Sequence, residues 1–323
     1  MLALPKIGAI FITYNQEGYV AEALRSLFNQ TYPHFEIIIS DDCSTDGTYV
    51  ILQKMVSEYQ GPHKLVLNRT SKNVGIGRNT QVAINLTDAD IYITCDGDDI
   101  SKSDRVEKIV DFFKSQNSQV NLLVSDAFSM AEDGTILDIK KSDDLQLISS
   151  VNDLLKKSPL FFGATTAFRK NLITDFEEIT EGVSAIDQII LARSILSGAA
   201  FTLHEPLVYH RVGGITGFHS KNVYQKISRL KRDSLRTIAD ISQKLKDSKV
   251  KNISHLFEAK FSKDLAIAKY IQDLFGVTSN TEKLKIFFRN DGVPVVKKIR
   301  FFLYATVAPL LNIFWVLKSK AGR

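Results

Sequence analysis

Cysteine is nearly absent from this chain. Only Cys43 and Cys95 occur in 323 residues. No disulfide framework or zinc spacing can be built from them, so a reducing compartment is the default expectation. Tryptophan occurs once, at Trp315. There is no Gly-x-x-x-x-Gly-Lys-Ser/Thr, which excludes a P-loop ATPase. There is no Gly-x-Ser-x-Gly elbow, which argues against an α/β-hydrolase. Gly75-x-Gly77 fails as a dinucleotide fingerprint, because position 80 is Thr and no strand leads directly into the glycines. The chain has no internal repeat and no low-complexity segment. Its opening, Met1-Leu-Ala-Leu-Pro-Lys6, is too short and too quickly followed by a strand to be a signal peptide.

What is present is a chain long enough for one sizeable core plus an appendage, or for two domains. Its charge is unevenly spread. Residues 219–323 hold 22 Lys/Arg against 8 Asp/Glu, a net of +14, and residues 1–218 hold 19 against 28, a net of −9. The pattern predicts an acidic globular module followed by a basic one, which could meet an anionic membrane or nucleic acid.

Apolar runs alternate with helical periodicity through the first 115 residues. Residues 7–12, 35–39, 64–67 and 91–95 read as strands. Residues 17–29 place Val20, Leu24, Leu27 and Phe28 on one helical face. Asp46-Gly-Thr opens a second helix, 76–86 forms a third, and 104–114 a fourth. This alternation predicts an α/β fold, a mostly parallel sheet with helices on both faces. Beyond residue 120 it loosens. Strands are expected at 120–124, 164–168, 200–203 and 207–211, a surface excursion at 131–150, and a helix at 185–197. From about 222 the pattern is helical and basic.

Polar clusters follow four of these strands. They are Thr13-Tyr-Asn15, then Ser40-Asp-Asp-Cys-Ser-Thr-Asp-Gly-Thr48, then Asn73-Val-Gly-Ile-Gly-Arg-Asn79, and Asp96-Gly-Asp-Asp99. Each alone is ordinary turn and cap chemistry. Four on one edge of a parallel sheet are not, because ligands bind beyond the carboxyl ends of such strands. Asp96, Asp98 and Asp99 crowd at a strand end, where carboxylates repel one another and lose solvation. A divalent cation with oxygen ligands is the usual remedy, and an α/β enzyme holds a metal-bound diphosphate in such a place.

This ordered set of motifs resembles the family 2 glycosyltransferases of bacterial polysaccharide synthesis, over about residues 5–215. The resemblance implies a GT-A fold and an inverting transfer from a nucleotide-sugar donor, most simply a UDP-hexose, to a glycan or polyprenyl-diphosphate-linked acceptor. By the same resemblance, Thr13, Tyr14 and Asn15 flank the nucleobase, Asp41 accepts a hydrogen bond from it with Asp42 nearby, and Arg78 faces the nucleotide. Asp96 binds ribose and Asp98 binds Mg²⁺ or Mn²⁺. Asp187, at the start of the 185–197 helix, is the expected base, with Glu181 as the fallback and Ile186 standing where the family often has a first acid. Residues 209–217 resemble a loop that closes over the diphosphate, with Arg211 and His210 as donors. Cys43 stands where the family often has Gly.

The expected domains are 1–218, 219–296 and an apolar tail at 297–323. Within the tail, residues 301–317 carry no charge and include Pro309 and Asn312. A bilayer-spanning helix needs about 20 apolar residues, so the run is expected to lie at the inner face of the cell membrane, with Trp315 at headgroup level. The protein is then cytoplasmic and peripheral. Two rival readings are a sugar nucleotidyltransferase and a non-catalytic nucleic-acid-binding protein. The first lacks a Gly-rich, Lys-bearing loop at residues 13–18. The second lacks aromatics set between basic residues, so no nucleic-acid partner is expected.

Overall fold

Four apolar runs become four parallel strands. These are β1 (Ile7–Thr13), β2 (Glu36–Asp41), β3 (Lys64–Arg69) and β4 (Ile91–Asp96). They are joined by α1 (Val20–Phe28), α2 (Thr48–Glu58) and α3 (Ile76–Ile84). The computed structural model describes residues 5–116, 120–212, 222–309 and 311–312. After β4 come β5 (Ile100–Ser101), α4 (Arg105–Ser115), β6 (Val120–Met130), β7 (Ile136–Lys140) and α5 (Val151–Lys156). Then follow β8 (Ala167–Arg169), α6 (Asn171–Thr174), α7 (Ile186–Ser197) and β9 (Ala199–Arg211).

One sheet collects them in the order β3-β2-β1-β4-β8-β6-β9-β5, with β7 hydrogen-bonded to β6. The β6–β9 pair is also parallel, while β8 runs antiparallel to both of its neighbours. The sheet is therefore mixed but mostly parallel, as the alternation predicts.

Both faces are covered, because successive side chains on a strand point to opposite sides. On one face Ala9, Phe11, Ile37, Ile39, Ile91 and Ile93 pack with Leu24, Leu27, Val106 and Ile109. On the other Ile10, Ile38, Tyr92, Leu122 and Val124 pack with Ala83, Ile84, Ile190 and Leu191. The register then places Thr13 beside Asp41 and Ile12 beside Asp96. Three of the strand-end clusters thus start side by side at one edge.

The chain folds as two compact units, residues 1–217 and 218–323. The second is α8 (Val223–Lys249), α9 (Ser254–Gly276), α10 (Asn280–Phe288) and α11 (Val295–Thr306). Asn222 caps α8 by accepting from the Gln225 amide at 2.8 Å. Ile267, Tyr270, Ile271, Leu274, Val293 and Phe301 form its core. The expected boundary at 296 falls inside α11, and the first residues of the uncharged 301–317 run are helical, with Phe301 buried. No helix among the described residues is long and apolar enough to cross a membrane. Trp315 lies outside the described residues.

One core histidine has a measurable consequence. His63 is buried with its ring 4.1 Å from that of Phe35. Burial, and then the nearby His34, hold its pKa below the ordinary value. The unfolded chain takes up a proton at this site near pH 6.5 while the folded one resists, so stability falls as the pH drops below about 6.5. His63→Phe should shrink the loss of Tm between about pH 7.5 and pH 5. An unchanged pH dependence of Tm would show that His63 does not contribute.

Candidate active site

The cleft at the carboxyl ends of β1 and β4 is a cavity of about 260 Å³. Its lining includes Ile12, Thr94, Asp96, Phe162, Gly163, Thr166, Asp187 and His210. Three of the predicted residues, Asp96, Asp187 and His210, therefore face one space. They arrive from different elements: Asp96 ends β4 and Asp187 sits in the first turn of α7. The Asp187 side chain lies over Gly163, where an added Cβ would come within 3.4 Å of the Asp187 Cβ. Glu181, the fallback base, is instead exposed and paired with Lys72 at 3.1 Å.

The strand-four carboxylates form a strained electrostatic group. Burial, reinforced by the charges of Asp99 and Asp98, pushes the Asp96 carboxyl up to about 7. Burial and then Asp99 raise Asp98 as well. Asp99 is more fully compensated. Its Oδ1 accepts from the Arg211 amide at 2.8 Å, and its Oδ2 lies 3.0 Å from His210 Nδ1. That contact raises the His210 pKa against the opposing effect of burial.

These are hard oxygen donors, short of solvent and short of positive charge, which suits Mg²⁺ or Mn²⁺. Among the described residues, however, no three His, Cys, Asp or Glu side chains form a ready-made cage. The fit is to a cation that keeps water and phosphate ligands and leans on one carboxylate, which is how magnesium usually binds.

The other motifs have their own geometry. Asn15 sits at φ 52° and accepts from the Thr45 amide at 2.8 Å, tying the β1 loop to the β2 loop. Asp41 is fully buried. It accepts from Thr13 Oγ1 at 3.3 Å, from the Ser44 amide at 2.9 Å and from Ser44 Oγ at 2.5 Å, and Arg69 Nε lies 3.3 Å away. Asp42 accepts from the amides of Val74 and Gly75, both at 2.8 Å, so it anchors the loop ahead of α3. Arg78 donates to Glu178 at 2.6 Å. Tyr14 is exposed and available to stack.

Sequence reasoning placed Asn79 in the third motif but gave it no role. It is fully buried and clamps Ser40 with bonds of 2.6 and 3.0 Å, holding α3 to the end of β2. It also passed over Thr94, Thr166 and Phe162, which line the cavity but carry no motif.

Arg211 is a buttress in this structure. Its guanidinium donates to the carbonyls of Asp98 at 3.1 Å and Glu132 at 2.7 Å, and pairs with Glu22 at 3.0 Å. It also lies 4.6 Å over the Tyr19 ring. Its side chain is almost fully buried, so truncation strips the Asp98 and Glu132 carbonyls of their donor, while Glu22, 58% exposed, turns to water. Arg211→Ala should cost about 2–4 kcal/mol, which would lower Tm by roughly 4–16 °C. A Tm within a degree or two of the parent would contradict this role. Of the expected lid at 209–217, Tyr209–Arg211 are instead the end of strand β9, and 213–217 lie outside the described residues.

A model described as Glycosyl transferase family 2 matches residues 9–176, which includes Thr13, Asp41, Asp96 and Asp98. The chain belongs to glycosyl transferase family 2. A Bacillus subtilis strain 168 protein with the provisional name glycosyltransferase EpsE is 35% identical over 130 residues, 39% of this chain and 46% of that one. Poly(ribitol-phosphate) beta-N-acetylglucosaminyltransferase TarS of Staphylococcus aureus strain MW2 is 26% identical over 222 residues, 68% of this chain and 37% of that one. This family 2 chain thus spans less than half the length of either relative.

Solved structures carry the GT-A fold at lower identity. S. aureus TarS 1-349 in complex with UDP superposes with a TM-score of 0.52 and 18% identity, covering 94% of this chain and 90% of that one. Mannosyltransferase PcManGT from Pyrobaculum calidifontis, in complex with GDP-Man and Mn²⁺, gives 0.54 and 15%, covering 96% and 88%. Asp187, His210 and Arg211 lie beyond the matched family segment.

Proposed function

We propose that this chain is an inverting glycosyltransferase of bacterial cell-surface polysaccharide or teichoic-acid-type synthesis. It moves a sugar, most simply a hexose from a UDP donor, to a hydroxyl of a glycan or lipid-linked acceptor. The observation that carries this reading is the cavity shared by Asp96 and Asp187, beside the carboxylate cluster at the end of β4. Family membership and the nucleotide-bound neighbours support it.

In this proposal the base lies against Tyr14, over the strand end that Asp41 organises through Thr13 and Ser44. A direct bond from a nucleobase N–H to Asp41 requires the Ser44 hydroxyl to turn away. Asp42 shapes the site through the Val74 and Gly75 amides, and Arg78 reaches a nucleotide by exchanging Glu178 for it. Asp96 binds ribose hydroxyls. Asp98 would hold the Mg²⁺ or Mn²⁺, which when bound neutralises charge on the departing nucleoside diphosphate. Asp187 accepts the proton of the acceptor hydroxyl as it attacks the anomeric carbon. Attack from the face opposite the leaving group inverts that carbon. Arg211 positions the Asp98–Asp99 backbone. The basic helical unit, and the tail from 297, bring the enzyme to the membrane that carries a lipid-linked acceptor.

A donor panel tests this reading. With Mn²⁺ and no acceptor, one nucleotide sugar should be slowly hydrolysed to free nucleoside diphosphate. Release of pyrophosphate would mark a nucleotidyltransferase instead. No turnover of any donor, with or without acceptor glycans, would overturn the proposal.

A further inference from the structure

We propose that the face of the helical unit spanning 288–303 is the surface by which the protein lies on an anionic lipid bilayer. This rests on the peripheral-membrane reading above and assigns it to folded residues rather than to the far end of the chain.

Helix α11 is apolar on two sides. One stripe, Lys298, Phe301, Phe302 and Ala305, faces the unit's own core, where Phe301 meets Tyr270 and Phe302 meets Phe287. The other stripe is Val295, Val296, Ile299 and Leu303, at helical spacing on a different side. Those four are 66%, 78%, 47% and 44% exposed, and Phe288, at the end of α10, is 78% exposed. Single exposed apolar residues are common, but four on one helix face, with exposed Phe288 ending the helix before, are the kind of patch that marks an interaction site.

The corner is held in shape. Lys298 is buried, pairs with Asp291 at 2.8 Å, and donates to the carbonyls of Phe287 and Arg289. That fastens the first turn of α11, with exposed Val295 and Val296, to the end of α10, with exposed Phe288. Lys285, Lys297 and Arg300 are exposed on the same two helices.

The occupant follows from this chemistry. The middle of the patch is aliphatic, with nothing to read a base or a sugar edge. The two helices also present exposed Lys and Arg, in a segment of net charge +14. An exposed apolar stripe on a basic helical unit matches the interface of a bilayer bearing anionic headgroups. The stem of each cation can also lie along the apolar surface while its charge stays in water.

The test uses the full chain and sucrose-loaded vesicles of phosphatidylcholine with or without phosphatidylglycerol. The wild type should co-sediment with the anionic vesicles, and less so as salt rises from about 0.1 M to 0.5 M. Phe288→Ser and Val296→Ser should each weaken partitioning by about tenfold. Val50→Ser, at an exposed position in the other unit, should change nothing. If the wild type binds no vesicle, the peripheral-membrane reading fails and this surface with it. If the wild type binds and both variants bind equally well, membrane association stands but this face is not its seat. If the substitutions leave vesicle binding intact and instead dissolve a dimer or lower Tm, a second copy or the 313–323 segment covers the patch, and the proposal is overturned.

Discussion

Asp187→Asn is expected to cut the rate of sugar transfer by about 10²–10⁴-fold and to leave UDP affinity within about twofold, because a general base acts in the transition state rather than in donor binding. The substitution keeps the shape of the side chain and its place in the first turn of α7. It removes the negative charge and with it the capacity to take a proton. Kinetics with saturating acceptor report the first quantity and calorimetry the second. If UDP affinity falls in step with the rate, Asp187 belongs to the donor site, or acts by favouring the helix N-terminus. If the rate is unchanged, the base is elsewhere in the cavity. His210 and Asp96 are the titratable groups that share the lining.

The second large effect belongs to Asp98, and it has two opposite parts. Asp98→Asn should abolish the Mn²⁺-dependent share of UDP binding and, with it, most of the turnover. EDTA should do the same to the wild type. Yet the same substitution should stabilise the metal-free protein. Asp98 is crowded by Asp99 and short of solvent, and its charge weighs against the folded state. A neutral amide relieves that repulsion. A gain of about 1 kcal/mol would raise Tm by roughly 2–4 °C in a unit of this size. Active sites commonly trade stability for function in this way. Full activity in EDTA, or in Asp98→Asn, would contradict the assignment. A variant that is both inactive and less stable would instead mark Asp98 as structural.

The sheet was legible where burial imposes a pattern. β1, β2 and β4 are buried on both faces, so their sequences read as unbroken apolar runs. β7 lay unseen within the polar 131–150 stretch. All five of its residues are exposed, so no hydrophobic period exists to find. β9 read as two strands because Pro206 interrupts it. The structure absorbs that proline at a register shift opposite Asp126.

The site divides in the same way. Strand-end position is a property of sequence order, so the gathering of Thr13, Asp41 and Asp96 on one edge was foreseeable. Which polar atoms remain for a ligand is a property of packing, and it was not. Asp42 spends its carboxylate on two loop amides, Arg78 meets Glu178, and Arg211 is buried under the Asp98–Asp99 turn. Thr166 and Phe162 reach the cavity from a distant segment that no local spacing announces, whereas Thr94 shares the Asp96 face of β4 by the strand period of two.

In the proposed enzyme the β1, β2 and β4 strand ends hold the nucleoside diphosphate, with Asp187 across the same cavity. A crystal structure with Mn²⁺ and the diphosphate released in the donor panel decides this. The base should lie against Tyr14 and the ribose at Asp96, with the metal held by Asp98. The space beside Asp187 should stay open for the sugar. A nucleotide bound away from these strand ends, or a diphosphate whose metal touches none of Asp96, Asp98 and Asp99, would contradict it.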